Sequence, residues 1–342
     1  MKKPRLGFLG VGWIGRHRMD ALARSGVAEV VAVVDPDPMA CAAARSIAPG
    51  ATVVETYAAL LDEQLDGVVI ATPSALHAEQ ARQALQQGLA VFCQKPLARD
   101  LDETVSVVSA AEKANRLLDV DFSYRHTRGL GAIEKLAAWG ELGDIFSAEL
   151  VFHNAYGPDK PWFYDPALSG GGCLIDLGGH LIDAALWCLG FPQVRNVDSR
   201  LYAGGVRLGD SHAAVEDFAN VRLDLDNAAS VQLACSWNLA AGRDAIIEAR
   251  FYGTRGGAAL YNVNGSFYDF VAERYQGTRS EVLSQPPDAW GGRGLVAWAQ
   301  RLARQHDFDA DAWRVCEVAE VLDRAYGRRP GRQQRPASSR IV

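Results

Sequence analysis

Four short stretches of this sequence carry residue types whose spacing could do chemistry. Gly10-Val-Gly12-Trp13-Ile14-Gly15 closes an apolar run and opens a helix-like one. A strand that ends in glycines and turns straight into a helix gathers free backbone N–H groups at the positive end of a helix dipole, which seats a pyrophosphate. Gly10 permits the turn, Gly12 admits the phosphates, Gly15 lets helix and strand pack, and Trp13 and Ile14 lie in the same turn. A second apolar run, Glu29–Val34, ends in Asp35, twenty residues past Gly15. A carboxylate there accepts hydrogen bonds from a ribose diol and repels a 2′-phosphate. Pro36 follows it rather than an arginine, so NAD is favoured over NADP, although Arg16 in the first helical turn could reach a phosphate.

The second stretch is Ala71-Thr72-Pro73-Ser-Ala-Leu-His77. Proline suits a first helical turn and a hydroxyl can cap it. In a dinucleotide site the same loop faces the cofactor, and His77 is either part of that site or an ordinary half-buried histidine. The third is Gln94-Lys95-Pro96. A lysine at a strand end can hold a reacting oxygen, but a Lys-Pro pair alone is a common loop element. The fourth is Asp176 and His180, four apart, with Asp183 three further on. Such residues share a helix face, and histidine is the side chain best matched to proton transfer near neutral pH. The preceding Gly170–Gly172 lets backbone approach a ligand. No third or fourth ligand is spaced to join them, so no metal site is read here.

These residues need elements to hold them. From residue 5 to about 123, short apolar runs alternate with helical patterns, which predicts a doubly wound parallel sheet of the Rossmann type. Bound groups in such sheets lie at the carboxyl ends of the strands. Asp35, Ala71–Pro73 and Gln94–Pro96 all fall there. Beyond residue 125 come a helix, a long strand from Ile145, a loop carrying Lys160 and Trp162, and a helical stretch from about Leu174 to Leu189. Alternating runs from Val194 to about Glu273 predict an α/β domain with a large, mostly antiparallel open sheet. Residues 277–294 read as a loop, and 295–304 and 311–326 as closing helices. The expected division is a dinucleotide-binding domain over 1–124, a substrate-binding and oligomerisation domain over 125–330, and a tail over 331–342.

The 342 residues are 49% hydrophobic and 22% charged, with a formal net charge of −6. That is ordinary for a globular protein of about two domains, and it disfavours nucleic-acid or anionic-membrane partners. Six cysteines without a CxxC pair suggest buried thiols in a reducing compartment. With no leader-like or membrane-length apolar run, a cytoplasmic location is expected.

Together the glycine turn with Asp35, the Ala-Thr-Pro-x3-His loop, Gln-Lys-Pro, and Gly-Gly-Gly-x3-Asp-x-Gly-x-His-x2-Asp resemble the Gfo/Idh/MocA family, the relatives of glucose–fructose oxidoreductase, inositol dehydrogenase and rhizopine catabolism proteins. The resemblance spans residues 5 to about 190. It implies an NAD(P)-dependent oxidoreductase that moves a hydride between nicotinamide and a secondary alcohol of a sugar, cyclitol or related polyol. It implies a homodimer or homotetramer formed through the C-terminal sheet. Lys95 takes the place of the lysine in the family's Glu-Lys-Pro motif, and Asp176 and His180 the acid and histidine of its second-domain motif. In the family these three approach the carbon whose hydride moves. His180 would exchange the hydroxyl proton, Lys95 would hold the same oxygen, and Asp176 would fix a neighbouring hydroxyl or the imidazole. Tyr124, Arg125 and His126, where the chain crosses to the second domain, and Lys160 and Trp162, in the loop before the glycines, are further substrate-side candidates; His153, Asn154 and Tyr156 would line the same pocket.

The sequence departs from the pattern at Gln94, where the family usually has Glu. One negative charge beside the nicotinamide ribose is lost. Ser74 also replaces a common Asn. Two alternative functions exist on this fold: redox-neutral use of NAD in glycosidase- or epimerase-type chemistry, and a sensing regulator without catalysis. Retention of Lys95, Asp176 and His180 argues against the regulator.

Overall fold

A computed structural model describes residues 3–209 and 214–328. The chain forms two compact units. One holds the residues up to 123 together with 291–316; the other holds 124–290 and the described residues from 317 on. The expected split at residue 124 thus omits a return of the chain: residues 291–316 pack with the first unit. The expected tail, 331–342, lies outside the described residues.

The first unit alternates β1 (Arg5–Leu9), α1 (Trp13–Ser25), β2 (Glu29–Val34), α2 (Pro38–Ile47), β3 (Thr52–Val53), α3 (Tyr57–Leu61), β4 (Gly67–Ile70), α4 (Ser74–Gln86), β5 (Ala90–Cys93), α5 (Leu101–Ala114) and β6 (Leu118–Val120). The six strands lie in the order β3-β2-β1-β4-β5-β6, and every pairing is parallel. The order reverses between β1 and β4, so the crevice of a doubly wound sheet opens at their carboxyl ends. β4 and β5 are buried along their whole length, which explains their continuous apolar runs: helices cover both faces. Asp37, Thr56 and Asp100 cap α2, α3 and α5 through their side chains. The helices that start at the crevice, α1 and α4, have no side-chain cap. Their first-turn N–H groups are left for another acceptor.

In the second unit follow α6 (Arg128–Ala138), β7 (Ile145–Asn154), α7 (Pro166–Ser169), α8 (Gly179–Cys188), β8 (Val194–Ala203), β9 (Val206–Arg207), β10 (Phe218–Leu225), β11 (Ser230–Ser236), β12 (Ala245–Gly253), β13 (Gly257–Asn262), β14 (Phe270–Gln276) and β15 (Arg279–Ser284). Helix α9 (Arg293–Leu302) belongs to the first unit, and α10 (Arg314–Ala325) closes the described chain. The nine strands lie in the order β15-β14-β13-β12-β7-β11-β10-β8-β9. All pairings are antiparallel except β7 with β11. Strict alternation sorts the faces: Ala148, Leu150 and Phe152 of β7, Val231 and Leu233 of β11, and Ile247 and Phe251 of β12 are buried. Their neighbours Glu149, Gln232, Glu248 and Arg250 face the other way. Helices α6 and α8 lie on the buried side.

Two sequence expectations change here. Within the expected loop 277–294, Arg279–Ser284 is an edge strand; most of its side chains are exposed, so it carries no buried face for a hydrophobic pattern to reveal. The stretch from Leu174 is not a uniform α-helix, because Leu174–Gly178 is a π-turn that runs directly into α8.

Candidate active site

In the first unit, the glycine turn is closed by its neighbours. Gly10 has φ +84°, and a Cβ on it would lie 2.6 Å from the carbonyl oxygen of Ala71. Only glycine tolerates both. A Cβ on Gly15 would collide with the carbonyl oxygen of Gly10. At Gly12, where the phosphates are expected, a Cβ would meet nothing within 4 Å. Asp35 locks the turn: Oδ2 accepts from the Val11 N–H (2.7 Å) and Oδ1 from the Asp37 N–H (2.9 Å). Each oxygen keeps acceptor capacity for a further donor. Arg16 donates to the carbonyl of Val11 at 2.8 Å, so it braces the turn. Trp13 is exposed and stacks on His17, with centroids 5.7 Å apart. Ile14 is half-buried.

At the end of β4, Thr72 does not cap α4. Its hydroxyl donates to Gln80 Oε1 at 2.6 Å. His77 is buried, with Nε2 2.7 Å from the carbonyl oxygen of Thr72 and Nδ1 2.7 Å from that of Pro96. It therefore bridges the loops after β4 and β5, the second of which carries Lys95. Burial pushes its pKa down, and the two carbonyls oppose that shift. Pro73 and Lys95 are half-buried. Gln94 is buried, and its amide donates to Asp121 Oδ2 at 2.6 Å. The same oxygen accepts from Arg18 Nε at 2.6 Å.

In the second unit, the glycines before Asp176 are required by the protein's own chain. A Cβ on Gly172 would run into the backbone of Glu216, whose nitrogen would be 2.8 Å away. A Cβ on Gly171 would run into Tyr326. The buried Glu216 carboxylate accepts from the N–H groups of Gly172 (3.0 Å) and Leu174 (2.8 Å) and from the Tyr326 hydroxyl (2.8 Å). An anion thus sits at the start of the segment that bears the motif, where the helix dipole favours it. Burial nevertheless raises its pKa.

Asp176 accepts from the Trp237 indole N–H at 3.2 Å. His180 is buried, edge-on to Tyr124 with centroids 5.0 Å apart. Asp183 does not join them: it forms a two-pronged ion pair with Arg125, whose Nε donates to Oδ2 at 2.8 Å. Burial pushes Asp183 upward and Arg125 opposes this. The guanidinium lies near the rings of Trp187 and Phe191. Arg125, expected on the substrate side, is thus engaged by Asp183. Trp162 stacks on Phe163, with centroids 3.8 Å apart, and Lys160 pairs with exposed Asp159. His153 meets Ser236 Oγ at 2.8 Å and stacks on Phe218. Tyr156 is exposed.

Comparison with known proteins decides the family. The profile described as "Oxidoreductase family, NAD-binding Rossmann fold" matches residues 4–122, and that of the GFO/IDH/MocA C-terminal domain matches residues 131–259. A chain from Amycolatopsis mediterranei, proposed as a UDP-kanosamine synthase oxidoreductase subunit, is 36% identical over 70% of each chain. This protein is a member of the Gfo/Idh/MocA oxidoreductase family. Levoglucosan dehydrogenase of Pseudarthrobacter phenanthrenivorans is 28% identical over 75% of this chain and 73% of its own. Levoglucosan dehydrogenase in complex with NADH and levoglucosan shares the fold, with TM-score 0.79 at 21% identity, covering 95% of this chain and 98% of that one. Aldose-aldose oxidoreductase from Caulobacter crescentus does so at TM-score 0.82 and 19% identity, covering 95% and 97%.

The matched first domain is an NAD-binding Rossmann fold, and the geometry of the first unit fits NAD. The uncapped start of α1, the open space at Gly12 and the ready carboxylate of Asp35 suit a pyrophosphate and a ribose diol. Arg18, Asp121, Glu216, Tyr326 and Trp237 were missed in the sequence. The one available signal was acids within apolar runs, Asp121 between Val120 and Phe122 and Glu216 after Val215. Buried charges of that kind are retained where something pairs with them.

Proposed function

We propose that this protein is an NAD-dependent dehydrogenase acting on a CH–OH group of a sugar, cyclitol or related polyol. Relatives named D-glucoside 3-dehydrogenase (Escherichia coli), levoglucosan dehydrogenase and inositol 2-dehydrogenase (Saccharopolyspora erythraea) support that substrate class. The observation that carries the reading is the Asp176–His180 segment. Its π-turn, the kind of irregularity that marks functional helices, rests on buried Glu216, and Asp176 is fixed by Trp237.

When bound, NAD supplies the hydride-accepting carbon. The chain's own groups then have separate tasks. His180 takes the hydroxyl proton in oxidation and returns it in reduction. Lys95 holds the same oxygen and stabilises the charge that develops there. Asp176, with its indole donor, binds a neighbouring hydroxyl. Asp35 selects NAD, and the unit containing residues 3–123 binds it. The unit starting at residue 124 binds substrate, and the outward face of its nine-stranded sheet is the proposed homo-oligomer surface. A cytoplasmic location fits this role; among the described residues no helix is long and apolar enough to cross a membrane.

The test is NADH formation against a panel of cyclitols, aldoses, sugar acids and nucleotide sugars, with Lys95→Met and His180→Ala alongside. Each variant loses about two decades or more of kcat. A Lys95→Met enzyme with intact turnover would overturn the assignment, and turnover without net NADH would favour redox-neutral chemistry.

A further inference from the structure

Gln94 occupies the position where the motif usually holds an acid, and the surroundings of its side chain account for the exchange. Asp121 follows the last strand of the first sheet, and its carboxylate is buried. Oδ2 receives two donors at 2.6 Å, the guanidinium of Arg18 and the amide of Gln94. Oδ1 is buried with no hydrogen-bond partner among the described residues. Both Arg18 and Asp121 have side chains almost wholly removed from solvent. A glutamate at position 94 would set a second carboxylate against the first, and two carboxylates in one buried site cannot both ionise cheaply. Glutamine supplies an N–H donor where glutamate supplies an acceptor.

We infer that Asp121 is a positioning residue: it holds the side chain of residue 94, and so the peptide that carries Lys95, while Arg18 ties the same carboxylate to the helix of the glycine turn. Arg18 lies on α1, whose first turn is the proposed phosphate seat, and Gln94 precedes the proposed catalytic lysine. One buried carboxylate therefore joins the cofactor helix to the lysine loop within the first unit. In this chain the identities at positions 94 and 121 are coupled. The acid can stand at one position or the other, and not at both. This rests on the NAD-binding role of the first unit given above, and only its kinetic arm involves the role of Lys95.

The experiment is a four-way cycle: wild type, Gln94→Glu, Asp121→Asn and Gln94→Glu/Asp121→Asn. Three quantities are read on the full chain: the melting temperature without cofactor, the Kd for NAD, and kcat at saturating NAD well below the lowest melting temperature. Gln94→Glu is expected to lower the melting temperature and weaken NAD binding about tenfold or more, with partial recovery as the pH falls and one carboxyl protonates. Asp121→Asn is expected to lower kcat about tenfold, as a misplaced lysine loop would. The double variant returns NAD affinity and kcat to within about threefold of wild type, because the introduced carboxylate then meets an amide and retains Arg18 as a nearby cation. If Gln94→Glu does not fold, recovery of folding in the double variant is the same result. Gln94→Met removes the amide without adding a charge, and is expected to be milder than Gln94→Glu. Additive losses in the double variant would overturn the coupling. So would a Gln94→Glu protein with wild-type melting temperature and NAD affinity. An Asp121→Asn protein that loses melting temperature while keeping Kd and kcat would reduce Asp121 to a packing role. Failure of the Lys95 assignment would appear separately, as unimpaired turnover in Lys95→Met.

Discussion

Replacing Glu216 tests whether the Asp176–His180 segment is seated by a buried carboxylate. Glu216 is 2% exposed and accepts from three donors: the N–H groups of Gly172 and Leu174 and the hydroxyl of Tyr326. Glu216→Ala leaves all three buried without that acceptor. An orphaned buried donor costs about 1–3 kcal/mol. Relief from burying a charge offsets part of the sum, so a net loss of about 3 kcal/mol or more is expected. Glu216→Gln keeps one oxygen, which can still accept from Leu174 and Tyr326, and its amide abuts the Gly172 N–H. The expected loss is about 1 kcal/mol. Urea unfolding of the full chain measures both, and kcat should fall further than stability in the alanine variant as the segment loosens. The pH dependence carries a sign. Burial raises the folded pKa of Glu216 above 4.5, so the folded state binds this proton more tightly than the unfolded one. Its contribution is greatest below the ordinary carboxylate value and declines as the pH rises through the raised value. Glu216→Gln flattens that part of the stability profile. An alanine variant within about 1 kcal/mol of both wild type and the glutamine variant, with unchanged kcat, would refute the reasoning.

Other variants separate packing from binding. Gly10→Ala meets both a positive φ and the Ala71 carbonyl, so chemical denaturation should show a loss of about 2 kcal/mol or more. Gly12→Ala has room for its methyl; its stability should be unchanged, while titration shows NAD binding weakened about tenfold as the methyl intrudes on the phosphates. Arg125→Met strands the buried Asp183 carboxylate and should cost about 3 kcal/mol, whereas Arg125→Met/Asp183→Leu should come within about 1 kcal/mol of wild type in the same unfolding assay. His77→Ala releases the bridge between the Thr72 and Pro96 carbonyls; steady-state kinetics should show kcat falling about tenfold or more while the KM for NAD moves less.

What the sequence disclosed followed from periodicity and from glycine. The parallel sheet showed itself in continuous apolar runs such as Gly67–Ile70, which only strands covered on both faces display. The turn at Gly10 showed itself because the backbone there admits no Cβ. The edge strand Arg279–Ser284 stayed hidden because little of it is buried. The π-turn at Leu174 stayed hidden because the groups its first N–H donors meet lie far along the chain, in Glu216 and Tyr326. Arg125 reads as a substrate contact in the sequence because nothing local announces Asp183, 58 residues away, as its partner. Gly170–Gly172 reads there as space for a ligand, but at Gly171 and Gly172 the space is filled by Tyr326 and Glu216. Long-range polar pairing leaves no periodic trace, and that accounts for most of what was missed.

The return of the chain to the first unit bears on how such proteins can be recombined. Leu295, Trp298, Ala299 and Leu302 of α9 belong to the same buried cluster as Phe8, Val69 and Phe92, and a Cβ on Gly67 would lie 2.8 Å from the Trp298 ring. A fragment ending at residue 123 would bare an oily trough where α9 belongs and should precipitate unless residues 291–316 are co-expressed. Chimeras that exchange coenzyme-binding halves between relatives therefore need two crossover points rather than one, with the stretch around Trp298 inherited from the same parent as Gly67.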